Sequence, residues 1–241
     1  MSKKILSLIA CLVIGMLARA ESENPLWMRG GAISPDGNSI AFSYMGNIYT
    51  VPSAGGEAKQ LTTNASYDGH PMWSPDGSML AFCSNREGSL DVFIMSATGG
   101  KAERVTTHSF NEYPAGWLGN DTLLIRRAGN PTVSELTFPG STFTRLYKVA
   151  KSGGRQTLFS AISMDHLSMA SDGRILYNNV KGYEDPWRKH HTSSIARDIY
   201  MKEGGAYKRM TTFAGEDRNP VWAPDGKGYY YLSEKDGTFN V

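Results

Sequence analysis

Three short groups of residues combine cationic, imidazole and aromatic side chains in a way that suits peptide binding. Arg126-Arg127 ends an apolar run, whereas Trp187-Arg188 and His190-His191 share one polar segment. Guanidinium groups donate hydrogen bonds to carboxylates and carbonyls, and an exposed tryptophan offers a flat apolar contact. The residues predicted to bind peptide are therefore Arg126, Arg127, Trp187, Arg188, His190 and His191. The competing interpretation is a solvated loop, or an ion pair with an acid such as Asp185.

The adjacent histidines do not predict a metal site. Neighbouring residues in a strand point to opposite faces, and no cysteine or third histidine lies near them in sequence. The sequence also lacks Gly-x-Ser-x-Gly, His-Glu-x-x-His, Cys-x-x-Cys and a phosphate-binding loop. We therefore expect no catalytic residue, metal or cofactor within this chain.

Composition and charge exclude several classes of partner. The chain has 241 residues, of which 40% are hydrophobic and 20% charged, as in a folded globular protein. The formal net charge of +2 arises from Lys3, Lys4 and Arg19, which have no acidic neighbour in the first segment. The remainder is close to neutral and lacks the clustered positive charge that nucleic acids and anionic lipids require. We therefore expect no nucleic-acid partner.

Residues 1–20 have the pattern of a secretory signal. Lys3 and Lys4 precede an apolar run at 5–17, and Ala18-Arg19-Ala20 supplies small residues for cleavage. The run is about 13 residues long, whereas a membrane-spanning helix needs about 20, so no stable membrane span is expected. The prediction is export to the periplasm, with the cell surface or extracellular space as alternatives. A lipid anchor on Cys11 is a further alternative. Cleavage leaves Cys83 alone in an apolar run, where it is expected to be buried.

One turn recurs five times after residue 27. Proline presets φ, aspartate hydrogen-bonds to the local backbone, and glycine adopts the positive φ of a tight reversal, so each copy is expected to join two antiparallel strands. The first residues of successive copies are 40, 44, 52 and 53 positions apart. The copies begin at Ile33, Trp73, Trp117, Met169 and Trp222.

The residues after each turn predict a meander of short strands. Alternating apolar positions follow the turn, then a second strand such as Asp198-Ile199-Tyr200, a glycine pair such as Gly99-Gly100, and a short third strand. A four-stranded unit of this period is typical of a β-propeller blade, with a β-sandwich as the alternative. The tryptophans at 73, 117 and 222 share one repeat position and are expected to pack between blades, whereas Trp187 does not.

The repeat resembles the propellers of TolB-like proteins and tricorn-like peptidases: Ser-Pro-Asp-Gly, an apolar strand, Asp-Ile-Tyr, Gly-Gly and Leu-Thr. The fourth repeat carries an insertion at 183–194 that resembles the propeller of secreted bacterial tricorn-like serine peptidases. This resemblance implies a proteolytic parent whose nucleophile belongs to a C-terminal domain. The propeller itself is then a noncatalytic route or binding site for peptide or unfolded protein substrate, in contact with the remaining domains of its parent.

The predicted organisation is all-β, a signal at 1–20, a linker at 21–29 and a partial propeller at 30–241. It has about four and a half blades, and an incomplete ring indicates a fragment of a longer chain. The alternative function is a TolB-like periplasmic module that binds proteins without enzymatic activity. A third interpretation is the propeller of a prolyl-oligopeptidase-like enzyme. The blades are predicted at 30–63, 69–107, 112–159, 165–212 and 217–241.

Overall fold

The computed structural model describes residues 27–128, 143–183 and 192–241. Every regular element in these ranges is a β-strand, so the predicted all-β fold class is confirmed. The strands form four four-stranded sheets and a fifth sheet of two strands. This arrangement agrees with a propeller of about four and a half blades.

Each sheet is built from strands that are consecutive in the chain, and we number the blades in the same order. Blade one contains β1 (Arg29–Ile33), β2 (Ser39–Tyr44), β3 (Asn47–Pro52) and β4 (Lys59–Gln60). Blade two contains β5 (Asp68–Trp73), β6 (Met79–Ser84), β7 (Asp91–Ser96) and β8 (Glu103–Arg104). Blade three contains β9 (Glu112–Leu118), β10 (Thr122–Arg127), β11 (Arg145–Ala150) and β12 (Thr157–Ser160). Blade four contains β13 (Met164–Met169), β14 (Ile175–Asn179), β15 (Ile199–Glu203) and β16 (Ala206–Arg209), and blade five contains β17 (Asp217–Trp222) and β18 (Tyr229–Ser233).

All strand pairs within a blade are antiparallel, and the first strand lies at one edge of its sheet. The first strands of successive blades contact one another: β1 with β5, β5 with β9, β9 with β13, and β13 with β17. The first strand is therefore the inner strand of each blade, and the last strand of a complete blade is the outermost. Blades pack in chain order, as in a propeller.

The hydrophobic core lies in the seams between blades. The seam between blades one and two includes Ile48, Leu80 and Phe82, all of which are buried. The indole Nε1–H of Trp73 donates a hydrogen bond to the carbonyl of Ala32, 2.9 Å away in the preceding blade. The equivalent bond from Trp222 to the Ser168 carbonyl is 3.1 Å long, and Trp117 is buried between blades two and three. The tryptophans thus pack between blades, as their repeat position predicts.

The two ends of the propeller differ in their connections. One end, here called the turn end, carries the Ser-Pro-Asp-Gly turns, in which Ser74 Oγ donates to Asp76 Oδ1 at 2.6 Å and Gly77 has a φ of 72°. The other end, the loop end, contains the loops that enter each inner strand and those that join second and third strands. At the loop end the Asp68 backbone N–H donates to the Gly46 carbonyl at 2.8 Å, which ties blade two to blade one.

Cys83 is buried in β6, as predicted, and its burial raises the pKa of the thiol to about 12. It therefore stays protonated at neutral pH and has little nucleophilic character. Within the described parts of the chain, no helix has the length and apolar character needed to cross a bilayer.

Candidate functional site

A cleft of about 610 Å³ lies where the inner strands of blades one to four meet. Most of its lining residues are small or apolar, and its charged and imidazole side chains are those of His70, Arg126, Asp165 and His166. The lining residues are 30–32, 70–72, 114–115, 165–167 and Arg126. These positions lie near the middle of the inner strands, and Arg126 lies near the loop end of β10.

Irregularities in the inner strands shape this cleft. In β5 the register shifts between Gly69 and Met72, and in β13 it shifts between Asp165 and Ser168. At these bulges His70 and His166 adopt left-handed backbone conformations, with φ of 54° and 47°. A bulge takes residues out of the ladder and redirects their side chains. Both histidines consequently line the cleft.

Arg126 links blades three and four across the cleft wall. Its guanidinium forms an ion pair with the Asp165 carboxylate of β13. It also lies over the ring of Tyr113, with 5.7 Å between the guanidinium carbon and the ring centroid. The Arg126 side chain keeps 29% of its exposure, and a guanidinium has five N–H donors. Asp165 and Tyr113 thus hold the Arg126 guanidinium in place, and some of its N–H donors still face the cleft.

Asp165 is the centre of a longer series of charges. Its Oδ2 lies 3.8 Å from Arg197 Nη1 and 3.6 Å from His166 Nε2. Arg197 also lies near the carboxylate of Glu216, which precedes blade five, with 3.7 Å between Nε and Oε1. The Arg197 backbone N–H donates to Glu216 Oε2 at 2.9 Å. Alternating charges therefore run from blade three to the entrance of blade five.

These contacts set the protonation states around the cleft. Burial alone favours the neutral form of Asp165, but Arg126, His166 and Arg197 outweigh it and lower the pKa of the carboxyl. Burial lowers the pKa of His166, and Arg197 and Arg126 lower it further against the opposing effect of Asp165. The pKa of His70 is lowered by burial and by Arg126. Both imidazoles are consequently neutral at pH 7, where each offers one donor and one acceptor.

Among residues 27–128, 143–183 and 192–241, no group of three or more His, Cys, Asp or Glu side chains has the arrangement of a metal site. The side chains that line the cleft can form hydrogen bonds, ion pairs and apolar contacts.

The family follows from comparison of the whole chain with known proteins. The model of the tricorn protease N-terminal β-propeller domain matches residues 25–241. The chain belongs to this family.

Relatives of this tricorn-type propeller differ greatly in length. Tricorn protease homolog 1 of Streptomyces coelicolor is 24% identical over 210 residues, which cover 85% of this chain and 19% of that protein. An uncharacterised protein of Agrobacterium fabrum is 35% identical over 214 residues, which cover 83% of this chain and 68% of that protein. The chain thus spans about a fifth of the tricorn homologue and about two thirds of the Agrobacterium relative.

Solved structures share the fold of the tricorn-type propeller. The crystal structure of the tricorn protease superposes with a TM-score of 0.69 at 20% identity, over 90% of this chain and 21% of that one. A TolB-like protein from Agrobacterium tumefaciens superposes with a TM-score of 0.68 at 19% identity, over 90% of this chain and 73% of that one. At these identities the likeness concerns the fold alone.

The two arginines that the sequence singled out occupy different environments. Arg126 lines the cleft, whereas Arg127 is buried within blade three of the tricorn-type propeller. Arg127 Nε donates to Gln156 Oε1 at 3.1 Å and lies 3.6 Å from Glu112 Oε1. The Arg127 guanidinium carbon lies 3.8 Å from the centroid of the Tyr147 ring. Its partners lie within its own blade, so the function proposed below depends on Arg126.

The other predicted peptide-binding residues lie outside the described residues. These are Trp187, Arg188, His190 and His191, all within 184–191.

Sequence reasoning missed His70, Asp165 and His166, although a signal was present for the two histidines. A histidine or asparagine stands three positions before the apolar residue that opens the turn in three repeats: His70 before Trp73, His166 before Met169, and Asn219 before Trp222. All three have positive φ. A histidine or asparagine that recurs at the same position of an inner strand is consistent with a repeated bulge.

Proposed function

We propose that this tricorn-type propeller binds extended peptide segments in its cleft and acts as a noncatalytic binding or access module of an exported tricorn-like serine peptidase. In this proposal hydrolysis takes place elsewhere in the parent protein. The observation that carries the proposal is the position of Arg126 on the wall of a cleft that inner strands surround.

The backbone of the cleft supports peptide binding independently of peptide sequence. In the described sheets, β1, β5, β9 and β13 have a partner strand on one side only. The other edge of such a strand presents N–H and C=O groups that an extended peptide can use. Proline interrupts β5 and β9 at Pro71 and Pro114, which restricts continuous strand pairing there. Short contacts with a passing chain therefore fit better than a permanently added strand.

Arg126 supplies the directional contact. Its ion pair with Asp165 neutralises its charge within the cleft wall, so its remaining donors suit the carbonyl oxygens of a neutral backbone as well as carboxylates. His70 and His166 add neutral donors and acceptors on both sides of Arg126.

Replacing Arg126 by alanine is expected to weaken the binding of an unfolded model peptide about tenfold, because a hydrogen bond to a charged group is lost. Fluorescence anisotropy with a labelled peptide measures this change. The peptide affinity of Arg126→Lys is expected to lie between those of the unaltered protein and Arg126→Ala, since lysine keeps the charge without the planar guanidinium group.

Arg155→Ala is the matched control for Arg126→Ala. Arg155 is an exposed arginine of the same blade, in a Gly-Gly turn at the turn end. The Arg155→Ala substitution should leave peptide affinity unchanged. Equal affinity of the Arg126 variant and the unaltered protein would contradict the proposed function.

A TolB-like binding module, which holds a protein partner and hydrolyses nothing, is the second candidate. Its specific support is the superposition on the TolB-like structure, with a TM-score of 0.68 over 90% of this chain. Both functions use the same cleft.

Export and parentage are tested together by the mass of the native protein in cell-envelope extracts. Cleavage after Ala20 is expected, and a species that ends at Val241 would then have a mass of roughly 24 kDa. Mass spectrometry of immunoprecipitated protein gives both the size and the N-terminus. A species several times larger supports a peptidase parent, whereas a stable species of roughly 24 kDa favours the binding module. An intact residue 1 on the mature protein would contradict export by a cleaved signal.

A further inference from the structure

Several segments at the loop end of the propeller carry exposed large apolar side chains. At the loop end they occur in segments that enter an inner strand or join second and third strands: Trp27, Met45, Tyr67, Phe110, Ile162 and Tyr183. We call these six residues the apolar rim. The turns at the opposite end carry exposed aspartates, among them Asp36, Asp76 and Asp225. Exposed large apolar side chains towards that end lie on strands: Ile33, Leu158, Tyr207, Val221 and Tyr230.

The apolar rim lies at the loop end of the strands that line the cleft. Tyr67 immediately precedes β5, Phe110 lies two residues before β9, and Ile162 lies two residues before β13. These three strands provide residues 70–72, 114–115 and 165–167 of the cleft lining. A chain that leaves the cleft at this end therefore passes loops that carry these side chains.

Two rim aromatics are held in place despite their exposure. The Phe110 ring stacks on the His108 ring with 5.4 Å between centroids, and the Phe110 backbone N–H donates to His108 Nδ1 at 3.1 Å. The Tyr67 ring packs across Gly69, where an added Cβ would lie 2.5 Å from the tyrosine hydroxyl. Ordered aromatic side chains provide apolar contact area with little loss of conformational entropy on binding.

We propose that the apolar rim selects extended polypeptide segments that carry large apolar side chains, such as segments of unfolded proteins, whose backbone occupies the cleft. This inference rests on the proposed function and adds the class of peptide that is bound. The rim residues are separate positions on different loops around a concave centre. Separate apolar positions can each contact one side chain of an extended chain, whereas a stable interface with a second folded copy buries about 800 Å² on each partner.

The charges of the cleft agree with this choice of occupant. Arg126 and Asp165 neutralise each other, and Arg197 lies between Asp165 and Glu216. The two lining histidines are neutral at pH 7 because their pKa values are lowered. The cleft wall therefore provides polar contacts for a backbone, and discrimination between peptides falls to the apolar rim.

The test uses the 241-residue protein and two labelled peptides of equal length and charge. One peptide carries leucine or phenylalanine at every third position, and the other carries serine there. The apolar peptide is expected to bind at least tenfold more tightly. The double variant Tyr67→Ser/Phe110→Ser should lose most of this preference, at least fivefold, while its affinity for the serine peptide stays unchanged.

The control variant is Leu158→Ser/Tyr207→Ser. These residues lie on the outermost strands β12 and β16 and are exposed to 43% and 44%, close to the 41% of Tyr67 and 51% of Phe110. The control should retain the full preference for the apolar peptide. Because all four side chains are exposed, thermal unfolding should confirm that both variants fold. Ile162→Ser provides a third rim position if the double variant is unstable.

The outcomes separate this inference from the proposed function. If Arg126→Ala weakens both peptides while the rim variant binds both like the unaltered protein, the selection by the rim is overturned and peptide binding in the cleft stands. If the rim substitutions change the oligomeric state and leave peptide affinity unchanged, the rim is a contact between copies and the inference is overturned. If neither peptide binds the unaltered protein, both the inference and the proposed function are wrong.

Discussion

Arg127→Ala is expected to lower the free energy of unfolding by about 3 kcal/mol, whereas Arg126→Ala, one residue earlier, should lower it by about 1 kcal/mol or less. The reason is burial. The Arg127 side chain retains 9% of its exposure and its partner Glu112 retains none. Alanine at 127 leaves the Glu112 carboxylate buried without its cation, although Gln156 still donates to it at 2.7 Å.

Urea unfolding followed by tryptophan fluorescence measures this difference between the two arginines. A second comparison isolates the charge. Arg127→Met combined with Glu112→Leu removes both buried charges at once, and the double variant should be markedly more stable than Arg127→Ala. Equal stability of the Arg126 and Arg127 single variants would show that the buried pair has no special role.

The isolated 241-residue chain is expected to self-associate through the face of blade five that carries Val221 and Tyr230. Lysines placed on that face should weaken the association. Val221 pairs with Tyr230 in the same register in which Met72 pairs with Ala81 in blade two. Val221 and Tyr230 are 56% and 57% exposed, but Ala81 is fully buried against the next blade. Blade five thus presents a face that packs against a neighbour elsewhere in the fold.

Val221→Lys/Tyr230→Lys is expected to raise the concentration at which association begins by at least tenfold, since each buried large apolar side chain contributes about 1.5–3 kcal/mol. Sedimentation velocity over a range of concentrations measures this shift. Leu158→Lys/Tyr207→Lys, on the outermost strands, should leave association unchanged. A monodisperse monomer of the unaltered chain at every concentration would contradict the expectation.

The strands and turns could be predicted because their causes are local. A turn of proline, aspartate and glycine is stabilised within a few residues, as in the bond from Ser74 Oγ to Asp76 Oδ1. Alternation of apolar residues then predicts strands, and repetition every 40 to 53 residues predicts blades. The packing of Trp73, Trp117 and Trp222 between blades follows from the same repeat.

The candidate site depended on contacts between distant parts of the chain. Alternation along β10 predicts that Arg126 and Arg127 point to opposite faces, but it does not say which of them faces the cleft. The partner of Arg126 is Asp165, 39 residues away in the next blade. The pairing between β9 and β10 is also irregular between Leu124 and Ile125 of β10. This irregularity changes which residues of the two strands lie opposite each other.

The sequence by itself determined the all-β fold, the repeat and the family, because each of these depends on local turns, on side-chain periodicity and on motifs within one repeat. The tertiary structure alone decided that Arg126 lines a cleft while Arg127 is buried, and that His70 and His166 line the same cleft. Those properties arise where inner strands from four blades converge, since burial and pairing are set by neighbours that are remote in sequence. The separation of apolar loops from acidic turns at opposite ends likewise became visible only when the strand directions were known.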